Sequence, residues 1–225
     1  MNFTSIAITS DNVLWIGTEE GGVFSYKISS QEWIDYSFQC GNENSRVNKI
    51  FVDKYNHVWT MGHQRIGIFN PKNQLAKCYD FGKGVEQNLS EAVIWYTRAA
   101  EGGNSNAQDN LGTCYISGSG VDKNLDKAFY WYQRAAGQGN PSALNNLGLC
   151  YRNGEGTEKD DTKAADCFRK AAELGNSNAQ YNLGRCYFHG LGVPYDPVRS
   201  KEWVSKAAAQ GHQNARLFMA DNYWQ

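Results

Sequence analysis

The sequence predicts a chain in two parts: an all-α solenoid of helix pairs over residues 82–225, preceded at 1–81 by a small antiparallel β module. Three observations predict it. The tetrapeptides GKGV, GSGV, GEGT and GLGV begin at Gly82, Gly118, Gly154 and Gly190, each 36 residues after the last with no insertion or deletion. A fixed period of that length marks a repeat array. Inside each period apolar residues recur at helical spacing twice, once in A-x-x-W-Y-x-x-A-A and once in A-x-x-x-L-G-x-x-Y, so each unit is two helices. Upstream, short runs of Val, Ile, Thr, Trp, Tyr and Phe are broken by polar turn clusters, which is strand composition.

The β module carries an internal echo. SIAITSDNVLWIGTEEGGVFSYKISSQEWIDYSF is answered by VNKIFVDKYNHVWTMGHQRIGIFNPKNQLAKCYDF. Trp15 matches Trp59, Gly22 matches Gly67, Tyr26 matches Phe69, and Tyr36-Ser37-Phe38 matches Tyr79-Asp80-Phe81. The step of about 43 to 45 residues suits four short strands. Two sheets follow, at about 3–38 and about 46–81. The phrase D-N-V-L-W-I-G-T-x-x-G-G-V-x-x-Y resembles a blade of the two-component-regulator type of β-propeller. The second copy lacks the threonine and the paired glycines, with Met61, Gly62 and Gly67 in their place. A ring needs at least about four blades, and the outer edges of two would stay unpaired. The resemblance therefore implies a truncated propeller, or sheets that dock on the solenoid or on a second copy.

Residues 72–81 sit on the seam. Cys78-Tyr79 stands one period before Cys114-Tyr115, and Leu75-Ala76 one period before Leu111-Gly112, the phase of a repeat helix. Pro71, the turn-like PKNQ and the Tyr-Asp-Phe echo favour a closing strand, which is the expectation.

From 82 onward the positions keep step. Ala92, Ala128 and Ala164 repeat, with Ser200 fourth; Leu111, Leu147 and Leu183 give way to Met219; Tyr115, Tyr151, Tyr187 and Tyr223 close the units. Asn88, Asn124, Asp160 and Asp196 stand where a short side-chain acceptor bonds an orphan helix N–H. Gly103, Gly139, Gly175 and Gly211 are expected to end helices in left-handed turns, and Asn104, Asn140 and Asn176 to cap the next ones. His212 breaks that cap series. About eight helices are expected, opening with a lone helix near 89–101 and ending near 213–224.

The string A-x-x-x-L-G-x-x-Y-x-x-G-x-G-V, followed by A-x-x-W-Y-x-x-A-A-x-x-G-N, resembles the Sel1-like repeat, a relative of the tetratricopeptide repeat, over residues 82–225. Ser200, Val204, Phe218, Ala220 and Asn222 depart from it in the last unit, where a terminal repeat faces solvent on one side. The resemblance implies a non-enzymatic adaptor or scaffold. Its partner would be an extended peptide or protein segment, taken in a concave groove lined by the first helix of each pair. Position by position, that face comprises Asn106, Asp109 and Thr113, then Ser142, Asn145, Leu149 and Arg152. Asn178, Tyr181, Arg185 and Phe188 follow, and then Asn214, Leu217, Asp221 and Trp224. Amides suit a peptide backbone, arginines its acids and aromatics its anchors. Asn110, Asn146 and Asn182 form a ladder at the phase where related repeats often place a backbone-contacting Asn; an inter-repeat hydrogen-bond ladder that stiffens the stack is the alternative. Glycan binding along Tyr181, Phe188 and Trp224 is a second functional reading, and hydrolysis by an unrecognised site a third.

Composition narrows the field. The net charge is −1 and no Lys/Arg cluster stands out, which argues against nucleic acid. No leader-like run or membrane-span window is present, so a soluble, cytoplasmic protein without direct membrane insertion is expected. Homo-oligomers through exposed β edges remain open. Six cysteines occur, and Cys114, Cys150 and Cys186 share one phase. Equivalent helices lie roughly 10 Å apart, beyond the reach of about 7 Å that a disulfide allows, so these three read as small buried apolar residues. Cys167 and Cys186 are the one open pair, since a hairpin about Gly175 brings them nearly opposite, and secreted cysteine-rich members of the resembled group carry interhelical disulfides. A reducing compartment is the expectation.

No S-x-x-K, H-E-x-x-H or G-x-x-x-x-G-K motif occurs. The G-x-G tetrapeptides lack a preceding strand and read as interhelix turns. Cys40, His57 and His63 fit no common zinc spacing, His189 is placed at a helix carbonyl end, and Glu19-Glu20 and Asp160-Asp161 read as solvated acids. No catalytic residue, cofactor or metal is expected.

Overall fold

The computed structural model describes the backbone of seven strands between Phe3 and Phe69, and residues 71–82 and 86–221. The chain divides into two compact units, Met1–Trp95 and Tyr96–Gln225.

In the first unit β1 (Phe3–Ile8), β2 (Val13–Thr18), β3 (Val23–Lys27) and β4 (Glu32–Asp35) form an antiparallel sheet in chain order. A second sheet is built in the same way from β5 (Val47–Val52), β6 (Val58–Gly62) and β7 (Ile66–Phe69), and β5 runs beside β1 and β2. The echo extends to register. Trp15 pairs with Ala7 and Ser25, and Trp59 with Phe51 and Ile68. Each sheet also has a register shift at the same place in its first strand, between Phe3 and Ser5 and between Val47 and Lys49.

The second sheet stops at three strands, because residues predicted to close it form α1 (Pro71–Phe81). This corrects the expectation of a strand at 72–81. Pro71 sits first in the helix, where its fixed φ and missing N–H are tolerated. The Asn88 N–H donates to the Tyr79 carbonyl at 2.9 Å, the bond that Asn124 makes to Tyr115, Asp160 to Tyr151 and Asp196 to Tyr187. Gly82 likewise takes the left-handed φ of its counterparts. The 36-residue phase therefore outranks the Tyr-Asp-Phe echo, whose other half, Tyr36-Ser37-Phe38, lies outside the described residues. The array opens on a pair, not on a lone helix, and nine helices are found among the described residues.

After α1 come α2 (Leu89–Glu101), α3 (Ser105–Ser117), α4 (Leu125–Gly137), α5 (Pro141–Asn153) and α6 (Asp161–Glu173). The array continues with α7 (Ser177–His189), α8 (Pro197–Ala209) and α9 (Gln213–Asp221). Their ends are set by the residues that the spacing picked out. Asn104, Asn140 and Asn176 accept the N–H of Ala107, Ala143 and Ala179, and Asn124, Asp160 and Asp196 accept that of Lys127, Lys163 and Arg199. His212 keeps the series it was expected to break: its Nδ1 accepts the Ala215 N–H at 3.1 Å.

Within each pair a ring or branched side chain lies on a glycine. A Cβ on Gly112 would come to 2.7 Å from Tyr132, on Gly148 to 2.6 Å from Phe168, and on Gly184 to 2.5 Å from Val204. Helices approach closely only where the side chain between them is missing on one side. Val204 thus fills the place that Tyr132 and Phe168 hold in earlier units. Ser200 is fully buried and donates to the Gly184 carbonyl at 2.8 Å, so these two of the last unit's departures are packing substitutions. Phe168 anchors the largest cluster described, with Leu144, Ala164, Ala165, Leu183 and Tyr187. Outside it, Lys127, Lys163 and Arg199 lie over the rings of Tyr115, Tyr151 and Tyr187 at 5.3, 5.5 and 5.7 Å. These partly exposed cation–π pairs contribute about 0.5–1 kcal/mol each.

Candidate peptide-binding face

The first helices of successive pairs, α3, α5, α7 and α9, are tied by one contact made three times. Asn146 Nδ2 donates to Asp109 Oδ1 at 2.9 Å, Asn182 Nδ2 donates to Asn145 Oδ1 at 2.9 Å, and the Tyr181 ring meets the Phe218 ring edge-on at 6.1 Å. Each step joins a residue to the one 37 places on. The chemistry passes from carboxylate–amide to amide–amide to ring–ring while the 37-residue step is kept. Arg152 Nη1 donates to Asn182 Oδ1 at 3.4 Å, and Asn140 Nδ2 to Asn106 Oδ1 at 3.0 Å. The predicted Asn ladder is therefore occupied between repeats at Asn146 and Asn182. Asn145 and Asn182 are also buried, which leaves them as rungs within the stack.

Other predicted residues are open. Asn106, Thr113, Ser142, Asn178, Asn214, Leu217 and Asp221 are exposed, and Leu149, Arg152, Tyr181, Arg185 and Phe188 are half-buried. Asn110 is half-buried too. Thr113 shares a hydrogen bond of 3.1 Å with the Tyr132 hydroxyl. Trp224 lies outside the described residues, as do Cys40, His57 and His63. At the α7–α9 end the sequence reading missed two members of an aromatic group: His212, whose ring lies 4.8 Å from that of Tyr181, and Phe218, which meets Phe188 at 5.1 Å. The available signal was the break in the Asn ladder, where Phe218 stands in the phase of Asn110, Asn146 and Asn182. Arg185 lies over the Tyr181 ring at 5.8 Å and Arg152 over that of Phe168 at 5.8 Å.

Burial raises the Asp109 carboxyl above its ordinary range, against the pull of the Asn146 hydrogen bond. Asp109→Asn keeps an oxygen for Asn146 and removes the charge that burial disfavours. The variant is expected to be as stable as the wild type or about 1 kcal/mol more stable at neutral pH. A carboxyl whose folded-state pKa is raised gives stability that is fully present below about pH 3.9 and lost as pH rises through the folded value. The gap between variant and wild type should therefore close on acidification; urea midpoints measured from pH 3 upward read this directly.

Cys114, Cys150, Cys167 and Cys186 are free thiols, which closes the pair left open at Cys167 and Cys186. Burial pushes the Cys150 thiol up to about 12 and those of Cys167 and Cys186 up to about 11. Since the thiolate is the nucleophile, iodoacetamide at pH 8 should label these three roughly a hundredfold or more slower than an open thiol near 8.5. Peptide mapping of a labelling time course checks each site, and labelling at the open-thiol rate in folded protein would refute their packed role. The raised values also mean that the thiols' contribution to stability is complete below about pH 8.5 and is lost as pH climbs through 11 to 12. Among the described residues no three His, Cys, Asp or Glu side chains gather to hold a metal, and no helix is long and apolar enough to cross a membrane.

Comparison with known proteins agrees with the architecture. The Sel1 repeat family matches at 72–104, 105–140, 141–176 and 177–212, starting ahead of the predicted boundary at 82, and the two component regulator propeller family matches at 1–20. The chain is similar to a protective antigen of uropathogenic Escherichia coli strains that displays an SLR fold. That match has 37% identity and a TM-score of 0.64, over 68% of this chain and 33% of that one. It is also similar to a Sel1 repeat protein from Oxalobacter formigenes, with 40% identity and a TM-score of 0.64, over 68% and 62% of the two chains. An immunity protein from Pseudomonas aeruginosa matches at 25% identity with a TM-score of 0.50, over 66% and 58%. The chain thus spans a third of the first of these structures and under two thirds of the others. No curated protein matches it.

Proposed function

Because this chain belongs to the Sel1 repeat family, whose members are generally scaffolds for protein interaction, we propose that it is a non-enzymatic adaptor. It holds an extended protein segment along α3, α5, α7 and α9. The observation that carries this reading is the side-by-side tie of those helices by the repeated 37-residue contact. Rungs inside the stack fix the spacing of the exposed amides and hydroxyls at Asn106, Thr113, Ser142 and Asn178. A surface whose positions are set before binding loses less entropy when it is covered. The repeat supplies equivalent polar groups at regular steps, which suits an extended backbone better than a compact ligand.

A photo-crosslinking residue placed at Asn178 on α7, or at Asp166 on α6 as control, tests the face directly. Both positions are exposed. Peptides retained by the full chain from a random library should crosslink through position 178 and not through 166. Equal crosslinking at both, or crosslinking at 166 alone, would move the site to the other side of the array.

The glycan reading needs flat aromatic faces open to a sugar. Tyr181 already carries His212 and Arg185 on its ring, and Phe188 meets Phe218 edge-on, so no observation favours it. The two sheets we read as propeller blades carried ahead of the array. Their shared register shift and equivalent tryptophans support the reading; among the described residues no strand pairs with β7 on its far side, and that edge is where a second copy would add strands.

A further inference from the structure

We infer that the α5–α7 stretch of this face is a receptor for an acidic segment. An Asp or Glu carboxylate of the bound peptide is taken by Arg152 and Arg185, and a neighbouring aromatic or large aliphatic side chain settles against Tyr181 and Phe188. This deepens the adaptor reading and rests on it.

The argument starts from how cations are used elsewhere in the array. Lys159, Lys163, Arg169 and Arg199 each meet a carboxylate at 2.6 to 3.5 Å, and all four belong to second helices or the turns before them. Arg152 and Arg185, on the first helices, meet no carboxylate among the described residues. Each lies near a ring, as Lys163, Arg199 and Arg134 on second helices also do, and Arg152 has an amide oxygen as well. A guanidinium near a ring keeps N–H groups that can donate to a partner. Both side chains are half-buried, so their charge is screened less than that of a solvated lysine. Both guanidinium groups act at Cys186: burial is the larger influence there, Arg152 and Arg185 pull the thiol down, and the Asp161 carboxylate pushes it up. Two arginines on one stretch of the face, neither in contact with a carboxylate among the described residues, leave room for an anion. A carboxylate is the planar acceptor that matches a guanidinium fork. The aromatic group beside Arg185 supplies the apolar anchor that makes such a contact selective.

The test selects peptides of about twelve residues from a random display library on the full-length chain. It is repeated on Arg185→Gln and on the charge reversal Arg185→Glu, each first shown by circular dichroism and melting to fold like the parent. The pool from the parent is expected to be enriched in Asp and Glu next to aromatic or large aliphatic residues. The best acidic peptide should bind Arg185→Gln about tenfold more weakly, and weaken on the parent as salt rises. The pool from Arg185→Glu should exchange its acids for Lys and Arg. A parent pool enriched in peptides that crosslink through position 178 but show no excess of acids overturns this inference and leaves the adaptor reading standing. A parent that enriches no peptide over a blank support overturns both.

Discussion

Phe168→Ala is expected to lose about 3–5 kcal/mol of stability. Phe168 is fully buried and joins α6 to Leu144 on α5 and to Leu183 and Tyr187 on α7. Removing it deletes packing on both sides of one helix. In a repeat array each unit is held by its neighbours, so hydrogen exchange should show faster opening of α5, α6 and α7, with α3 and α4 changing less. The ring also fits against a missing side chain. Gly148→Ala alone places a Cβ at 2.6 Å from Phe168 and should cost about 1–3 kcal/mol by overpacking. In the Phe168→Ala background the obstruction is gone, and the same substitution should be nearly neutral. A double-mutant cycle by urea denaturation measures that coupling; additive losses would show that ring and glycine do not meet. Because Arg152 lies over the same ring, Phe168→Leu should fold with a smaller loss yet weaken capture of acidic peptides, which ties core packing to the proposed site.

The parts of this structure that were open to sequence reading are those in which like positions do like work. Asn124, Asp160 and Asp196 cap because each is followed by the same backbone, and a shared phase reveals them. The ties between repeats were hidden for the converse reason. A residue is compared with its equivalent 36 places on, but it bonds the residue 37 places on, so Asp109 and Asn146 never stand in the same column of the repeat. The third tie is further disguised because its chemistry has changed to rings. His212 was hidden by side-chain type: an imidazole nitrogen accepts an N–H as an Asn oxygen does, but the residue is rarely read as a cap. At 72–81 two signals competed. The Tyr-Asp-Phe echo spans three residues, whereas the helical phase is set by a backbone bond at Asn88 and a left-handed turn at Gly82 that only the folded chain displays.

Gly192→Ala should be the most damaging single-methyl change, and its comparison with Gly175→Ala separates two demands that the G-x-G tetrapeptide meets. Both glycines have left-handed backbones, with φ of 66° and 88°. A side chain there costs about 1–2 kcal/mol. At Gly175 the added methyl meets open space, with nothing within 4 Å, so Gly175→Ala should lose only that amount. At Gly192 the methyl would run into the carbonyl of Asp161 and come to 2.7 Å from the Thr162 nitrogen, backbone groups that cannot rotate aside. Making room means moving the first turn of α6, where Asp160 accepts the Lys163 N–H at 2.9 Å. Adding about 1–3 kcal/mol for that displacement gives an expected loss of about 3–5 kcal/mol. Gly156, whose methyl would strike the Leu125 carbonyl in the preceding unit, should behave like Gly192. Urea midpoints of the three variants decide the matter. Equal losses at all three would mean that the tetrapeptide is kept for its dihedral angles alone. A clear excess at Gly156 and Gly192 would show that its second glycine sets the distance at which one repeat rests on the one before it.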